Sequence, residues 1–185
     1  MSFFPRVILM AGLLSTITGA LGCASAATWT ETAAQARRLG PDQLQQAERA
    51  LARMDRPRRV QAEALLDRLA GEPATAAGLK AAADALAHEL PDFADPSRPT
   101  DGTDPNVGAV RLAAQTLFQG MVLRAGAAAR QGSQPADDAL ALLQTVQALP
   151  GFDDASKGLL REELRQGLGA ELYVAAMKAN APPPG

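Results

Sequence analysis

The hydrophobic residues of this chain recur mainly at intervals of three and four positions, most clearly between Pro105 and Arg130. Arginine and glutamine residues fall between the apolar positions, as on a helix with one apolar face. Asp104 can cap the first free amides, and Pro105 suits the first helical position because it has no N–H to leave unpaired. We expect this stretch to be the central helix of an all-α domain. Its apolar positions are Val107, Val110, Ala114, Leu117, Phe118, Met121, Val122 and Ala125.

Six further segments repeat this periodicity, and proline, glycine or aspartate stands at most of their ends. Short connections predict that neighbouring helices fold back on one another. We therefore expect an all-α protein with a single bundle of about six or seven helices over residues 28–180. Val60 and Ala175 are expected on the inward faces of their helices. The six segments span residues 28–39, 42–54, 55–71, 75–90, 135–149 and 154–178.

Segments 90–95 and 149–154 share the pattern Leu-Pro-x-Phe-x-Asp. In both places an Ala- and Leu-rich helix runs into the pattern, and a longer amphipathic helix follows. The repetition predicts a duplicated helix–corner–helix unit in which Phe93 and Phe152 close the end of the bundle. Two independent helix stops, each with its own hydrophobic contact, would produce the same pattern.

The composition also favours closely packed helices. Of 185 residues, 47% are apolar and only 4% are aromatic, whereas sheets favour β-branched and aromatic residues. The length suits one hydrophobic core. The formal net charge of −2 argues against a nucleic-acid partner. One Cys and one His cannot build a zinc or iron–sulfur site, and we expect no cofactor.

Residues 1–26 have the three regions of a secretory signal peptide. Arg6 precedes a strongly apolar run over residues 7–14, and small residues follow. A membrane-spanning helix needs about 20 apolar residues, and Ser15 and Thr16 interrupt the run early. An uncleaved anchor is therefore the second choice. We expect the mature protein in the periplasm, or anchored as a lipoprotein, within a bacterial cell envelope.

Two cleavage positions compete in this signal. Ala24-Ser25-Ala26 fits the small-x-small pattern of ordinary signal peptidase. Leu21-Gly22-Cys23-Ala24 resembles a bacterial lipobox, although Ala20 stands where that pattern usually has leucine. The resemblance implies that Cys23 is lipidated and tethers the protein to a membrane. Otherwise Cys23 is a chance residue in a discarded signal.

Five arginines gather where the second predicted helix gives way to the third. A functional interpretation is an anion-facing patch for lipid headgroups or an acidic partner. The structural alternative is a solvated helix surface, with Glu48, Asp55, Glu63 and Asp67 as i to i+4 partners. Mixed signs favour the structural alternative. The five are Arg49, Arg53, Arg56, Arg58 and Arg59.

The irregular segment 91–106 is rich in proline and aspartate, and it raises the question of a bound cation. Its oxygen ligands are compatible with calcium, but it lacks the acidic spacing and distal Glu of an EF-hand loop. Turn and cap roles account for these residues as well. The final residues 181–185, Ala-Pro-Pro-Pro-Gly, are expected to form an extended, flexible tail.

No nucleophile with a base, phosphate loop or haem attachment motif is present in the sequence. His88 is expected on the surface near a helix end. The acidic pairs 137–138, 153–154 and 162–163 are adjacent in sequence and diverge by about 100 degrees on a helix, so they predict no acid–base dyad. The first two pairs complement helix N-termini. An enzyme using scattered carboxylates is therefore only the third functional candidate.

We expect a non-enzymatic interaction module: an accessory or chaperone-like subunit that docks to an envelope protein complex through an exposed helix groove. The alternative is a periplasmic or lipoprotein carrier that holds a small apolar ligand or lipid in the bundle core. A carrier should enclose an apolar cavity, whereas an interaction module should expose a contiguous apolar patch of roughly a few hundred Å².

Overall fold

The computed structural model describes residues 27–40, 42–90 and 105–181, which contain eight α-helices and no strand. The predicted all-α class is confirmed. The export signal, Cys23, Phe93 and most of the acidic segment 91–106 lie outside the described residues. The helices are α1 (Trp29–Ala33), α2 (Gln43–Ala52), α3 (Arg56–Ala70), α4 (Ala76–Glu89), α5 (Pro105–Gln131), α6 (Pro135–Ala148), α7 (Asp154–Leu168) and α8 (Ala170–Ala179).

Helix α5 is the centre of the bundle, as its apolar periodicity predicts. It contacts α1, α2, α3, α4, α6 and α7. Phe118 and Leu117 at its middle are fully buried. Burial extends beyond the predicted stripe, because Gln119, expected on the polar side, is only 2% exposed. The surrounding helices therefore cover α5 on more than one face.

Glycines allow the neighbours of α5 to approach its backbone. A Cβ on Gly120 would lie only 1.9 Å from the carbonyl oxygen of Thr32 in α1. Gly126 packs in the same way against Gly167 of α7. Gly120, Gly126 and Gly167 therefore mark close crossings of the helices.

Helices α5 and α7 run in the same direction. Nε2 of Gln115 in α5 contacts Oγ of Ser156 in the first turn of α7 at 3.3 Å, and Gly126 meets Gly167 further along both helices. Helix α6 lies between them in the chain and runs back, so it contacts both. This arrangement places the N-terminal ends of α5 and α7 at the same end of the bundle.

The long C-terminal helix predicted over residues 154–178 is divided in two. Gly169 adopts φ +81°, ends α7 and precedes the first residue of α8. Because glycine adopts a positive φ easily, Gly169 can end one helix and begin the next. The apolar periodicity continues across this position and gives no sign of the break. Helix α8 then packs on α6 and α7, and the side chain of Asn180 bonds those of Gln144 and Gln147 at 3.3 and 3.2 Å.

The first helix is shorter than predicted. The Thr28 capping box is present, since Thr28 N–H donates to Glu31 Oε2 at 2.8 Å and Glu31 N–H to Thr28 Oγ1 at 3.2 Å. However, α1 ends at Ala33 rather than near residue 39. The N–H groups of Arg37 and Arg38 bond to a carboxylate on α7 instead of to helix carbonyls.

The phenylalanine of the second Leu-Pro-x-Phe corner packs into the core, as predicted. Phe152 is 3% exposed, and its ring lies 5.1 Å from that of Phe118, centroid to centroid. The tilt of 57° between the rings is a favourable aromatic geometry. The proposed duplication stays a prediction, because Phe93 lies outside the described residues.

Two predicted inward residues are wrong. Val60 is 54% exposed, because it lies on the opposite side of α3 from buried Ala62 and Leu66. Ala175 is also exposed, whereas its neighbour Ala176 is buried, as predicted. In both helices other apolar residues supply the buried face, and the sequence pattern alone does not show which apolar residues lie outside it.

Candidate functional site

A cleft of about 310 Å³ opens beside α3, between the end of α4 and the start of α5. We call it the α3–α5 cleft. Arg58, Gln61, Glu89 and Asn106 supply its polar lining. Its apolar lining comes from three parts of the chain and consists of Met54, Ala62, Leu65, Leu90, Val107 and Val110.

Local sequence signals position the walls of this cleft. Asp55 caps α3 by accepting a hydrogen bond from the Arg58 N–H at 3.1 Å, which fixes the corner after α2. Leu90 ends α4, and Pro105 begins α5. The apolar walls therefore come together only through tertiary packing, because Met54 and Val107 are distant in sequence.

The five arginines singled out from the sequence all lie on the corner between α2 and α3. Arg49 is in the last turn of α2 and Arg53 is its C-cap, whereas Arg56, Arg58 and Arg59 belong to the first turn of α3. Four are exposed, and Arg59 is partly buried. Arg58 also lines the α3–α5 cleft, so the arginine corner and the cleft adjoin.

Two of the expected acidic partners do form ion pairs at this corner. Arg58 Nε lies 3.4 Å from Asp55 Oδ2, and Arg59 Nε lies 3.7 Å from Glu63 Oε1. Asp67 is used elsewhere, since it accepts a hydrogen bond from the Trp29 N–H at 2.8 Å. The structural interpretation of the arginines therefore holds for part of the group.

The remaining arginines, Arg49, Arg53 and Arg56, make no ion pair within the described part of the chain. The first turn of α3 contains no acidic residue. Cations at a helix N-terminus oppose its dipole, at a cost of about 0.3–1 kcal/mol each on a surface. If helix stability alone determined the sequence, Asp or Glu would be expected in the first turn of α3. The corner therefore presents a positive field next to an apolar cleft.

The Glu162–Glu163 pair forms a second polar cluster, which the sequence did not reveal. Glu163 is fully buried and accepts the N–H groups of Arg37 and Arg38 at 3.1 and 2.5 Å. Glu162 accepts hydrogen bonds from Arg165 and also pairs with the Arg38 side chain at 2.9 Å. These bonds, chiefly from Arg165, lower the pKa of Glu162 to about 2. The cluster fastens the segment after α1 to α7 and faces no cleft described above.

Arg124 is a structural residue of the same kind. Its Nη2 donates to the carbonyl oxygens of Ala70 and Glu72 at 2.9 and 3.0 Å, which ties the end of α3 to α5. Partial burial lowers the pKa of Arg124. A guanidinium group at these carbonyls satisfies acceptors that the end of a helix leaves unpaired.

The remaining candidates assemble no reactive centre among the described residues. His88 is exposed near the end of α4, as expected. Within residues 27–40, 42–90 and 105–181, no group of three or more His, Cys, Asp or Glu side chains is placed to hold a metal. None of the described helices is long and apolar enough to cross a membrane.

Comparisons with protein families, curated proteins and solved structures gave no match to this chain. The functional proposal is therefore based on its own residues.

Proposed function

We propose that this protein is a non-enzymatic interaction module of the bacterial cell envelope, which docks to an envelope protein complex. The α3–α5 cleft is its docking site, and the occupant is an acidic, partly apolar segment of the partner protein. The observation that carries the proposal is that this cleft adjoins a corner with three arginines that form no ion pair with any described residue.

The lining of the cleft defines the apolar part of the occupant. Met54, Leu90 and Val107 are only partly buried, so each can still lose apolar surface to a partner. Burial of such surface contributes about 25 cal/mol per Å². An amphipathic helix or turn that projects a few apolar side chains is the peptide shape that uses a groove of this kind.

The arginines define the charge of the occupant. Arg53 and Arg56 flank the corner and form no ion pair within the described part of the chain, and the amide dipoles at the start of α3 add to their field. Acidic residues beside the apolar anchors of the partner would neutralise this surface. Complementary charge of this type speeds association and selects the partner, and added salt weakens it.

The same features fit a protein segment better than the apolar ligand of the carrier alternative. Arg58 and Glu89 both line the cleft, so its charged groups would face any occupant. A wholly apolar ligand would take these groups out of water, and that desolvation costs free energy even though Arg58 pairs with Asp55 and Glu89 with Arg68. The cleft also lies at the bundle surface, whereas the core around Phe118 is filled by side chains.

The proposed location in the cell envelope is based on the predicted export signal over residues 1–26 and on the resemblance to a lipobox at Cys23. A lipid on Cys23 would hold the domain at a membrane, where envelope complexes are assembled. The polar surface and the cleft suit a subunit that works in water beside that membrane.

The test uses three synthetic amphipathic peptides that share their apolar residues and carry acidic, neutral or basic polar faces. Fluorescence anisotropy with the purified protein should show binding of the acidic peptide, weakened by salt. Replacing Arg49, Arg53 and Arg56 together by Gln should weaken that binding about tenfold. The matched control replaces Arg37, Arg130 and Arg161 by Gln, which removes the same charge elsewhere and should leave binding unchanged.

A second pair of variants tests the apolar contribution. Val107→Asp places a charge in the cleft and should abolish peptide binding, whereas Leu159→Asp, at an exposed residue of α7, should not. Equal binding of all three peptides, or no binding, contradicts the proposal. Binding to vesicles of anionic lipid but not to any peptide would assign the arginine corner to a membrane surface instead.

A further inference from the structure

Helix α8 exposes an apolar face, which we call the α8 stripe. Val174 and Met177 are 49% and 42% exposed, and Ala170 is exposed in line with them. The steps of four and three residues place all three on one side of the helix. The opposite side packs on α6 and α7, with Ala176 only 3% exposed. The stripe therefore faces away from the bundle.

The charges beside the stripe are arranged symmetrically. Glu171 and Lys178 follow Ala170 and Met177 by one residue each, so both lie along the same edge of the stripe. Both are exposed, and neither forms an ion pair in the described part of the chain. The midpoint between them falls at Val174 and Ala175, in the middle of the stripe.

We propose that α8 is the docking surface for a second copy of this chain, aligned antiparallel about a two-fold axis near Val174. Two-fold interfaces must be self-complementary, because the same surface serves both copies. An antiparallel pair brings Glu171 next to Lys178 of the partner subunit, and the reciprocal pair forms on the other side of the axis. A parallel pair would give Glu171 no such lysine.

The geometry resembles the seam of a short coiled coil. The four-three spacing of Ala170, Val174 and Met177 is the a/d spacing of a heptad repeat, and the charges occupy one flanking position. With ten residues, α8 is only about 15 Å long. The interface is therefore small, and the association is weak and reversible.

Sedimentation equilibrium of the purified protein tests this interface. The mass of the wild-type protein should rise from monomer towards dimer between about 10 µM and about 1 mM. Glu171→Lys and Lys178→Glu should each weaken self-association about tenfold, because each variant faces like charges in its own dimer. An equimolar mixture of the two variants should associate again, since one copy then carries two lysines and the other two glutamates.

Val174→Asp should abolish association, and Val60→Asp, at an equally exposed valine on α3, should leave it unchanged. Circular dichroism checks that every variant is folded. A wild-type protein that stays monomeric at about 1 mM overturns the proposal. So does a mixture of the two charge variants that associates no better than either alone. The α3–α5 cleft is a separate surface, so failure here leaves the peptide-binding proposal standing.

Discussion

Gly126 of α5 and Gly167 of α7 pack backbone against backbone: a Cβ on Gly126 would lie 3.1 Å from the Cα of Gly167. A Cβ on Gly167 would lie 2.5 Å from the carbonyl oxygen of Leu123. Neither neighbour can move without moving a whole helix. The spacing of the two longest parallel helices therefore depends on the absence of a side chain at these two positions.

Gly167→Ala should destabilise the protein by about 1–3 kcal/mol, because the added methyl group overpacks a backbone contact. Gly158→Ala is the control in the same helix, since nothing lies within 4 Å of a Cβ there. It should stabilise the protein by about 0.5–1 kcal/mol through the better helix propensity of alanine. Urea unfolding measures both effects, and a neutral Gly167→Ala would contradict the close crossing.

Phe152→Ala should destabilise the protein by about 3–5 kcal/mol, because it leaves a cavity next to Phe118 in the core. Leu159→Ala, on an exposed part of α7, should change stability by less than about 0.5 kcal/mol. Thermal unfolding compares the two variants. Similar shifts in their midpoints would show that Phe152 does not close the core.

Thr32 and Thr116 form a matched pair of fully buried threonines. Thr32 Oγ1 has no hydrogen-bond partner among the described residues, whereas Thr116 Oγ1 donates to the Leu112 carbonyl at 2.8 Å. Thr32→Val should therefore stabilise the protein by up to about 1 kcal/mol, because it removes an unsatisfied hydroxyl group. Thr116→Val should be neutral or destabilising by about 1 kcal/mol. The reverse order in chemical denaturation would refute this assignment.

Glu163→Gln should destabilise the protein by about 1–3 kcal/mol. The fully buried carboxylate accepts two backbone N–H groups, one on each oxygen, and an amide has only one oxygen to offer them. Hydrogen exchange at Arg37 and Arg38 should become faster in the variant than in Glu162→Gln, whose residue bonds side chains instead. Unchanged exchange would mean that Glu163 does not hold this segment.

Glu162 predicts a pH dependence of stability. Its folded-state pKa is about 2, compared with 4.5 for the free group. In this interval the unfolded chain binds more protons, so the stabilisation from Glu162 is complete above pH 4.5 and disappears as the pH falls through about 2. Glu162→Gln should therefore differ from wild type at pH 6 and converge with it near pH 2. A constant difference at all pH values would contradict the assigned hydrogen bonds.

Much of the fold could be predicted because its signals are local. The start of α5 at Pro105 and the capping box at Thr28 follow from neighbouring residues. The break at Gly169 is harder to predict from the sequence, since glycine occurs elsewhere in α5 and α7 without interrupting either helix. What distinguishes Gly169 is its positive φ, and tertiary packing determines that conformation.

The candidate site, likewise, could be predicted only in part. The arginines around Arg56 can be found from sequence alone, because they are clustered there. The cleft beside them cannot, since Met54, Leu90 and Val107 come together only after the bundle has formed. The role of Glu163 could not be predicted for a related reason, since its partners on residues 37 and 38 are far away in the chain. They are also backbone amides, which every residue except proline has, so no residue type marks them in the sequence.

The hydrogen bonds between Glu163 and the segment after α1 determine the order in which contacts would bear a pulling force on the chain. For a protein tethered through Cys23, as proposed, tension enters at residue 27 and first reaches the bond between Trp29 and Asp67. Beyond α1 it meets the two amides held by Glu163. Rupture under pulling should therefore begin with detachment of α1 from α3 and α5, and the hydrogen bonds to Glu163 on α7 should act as the second anchor.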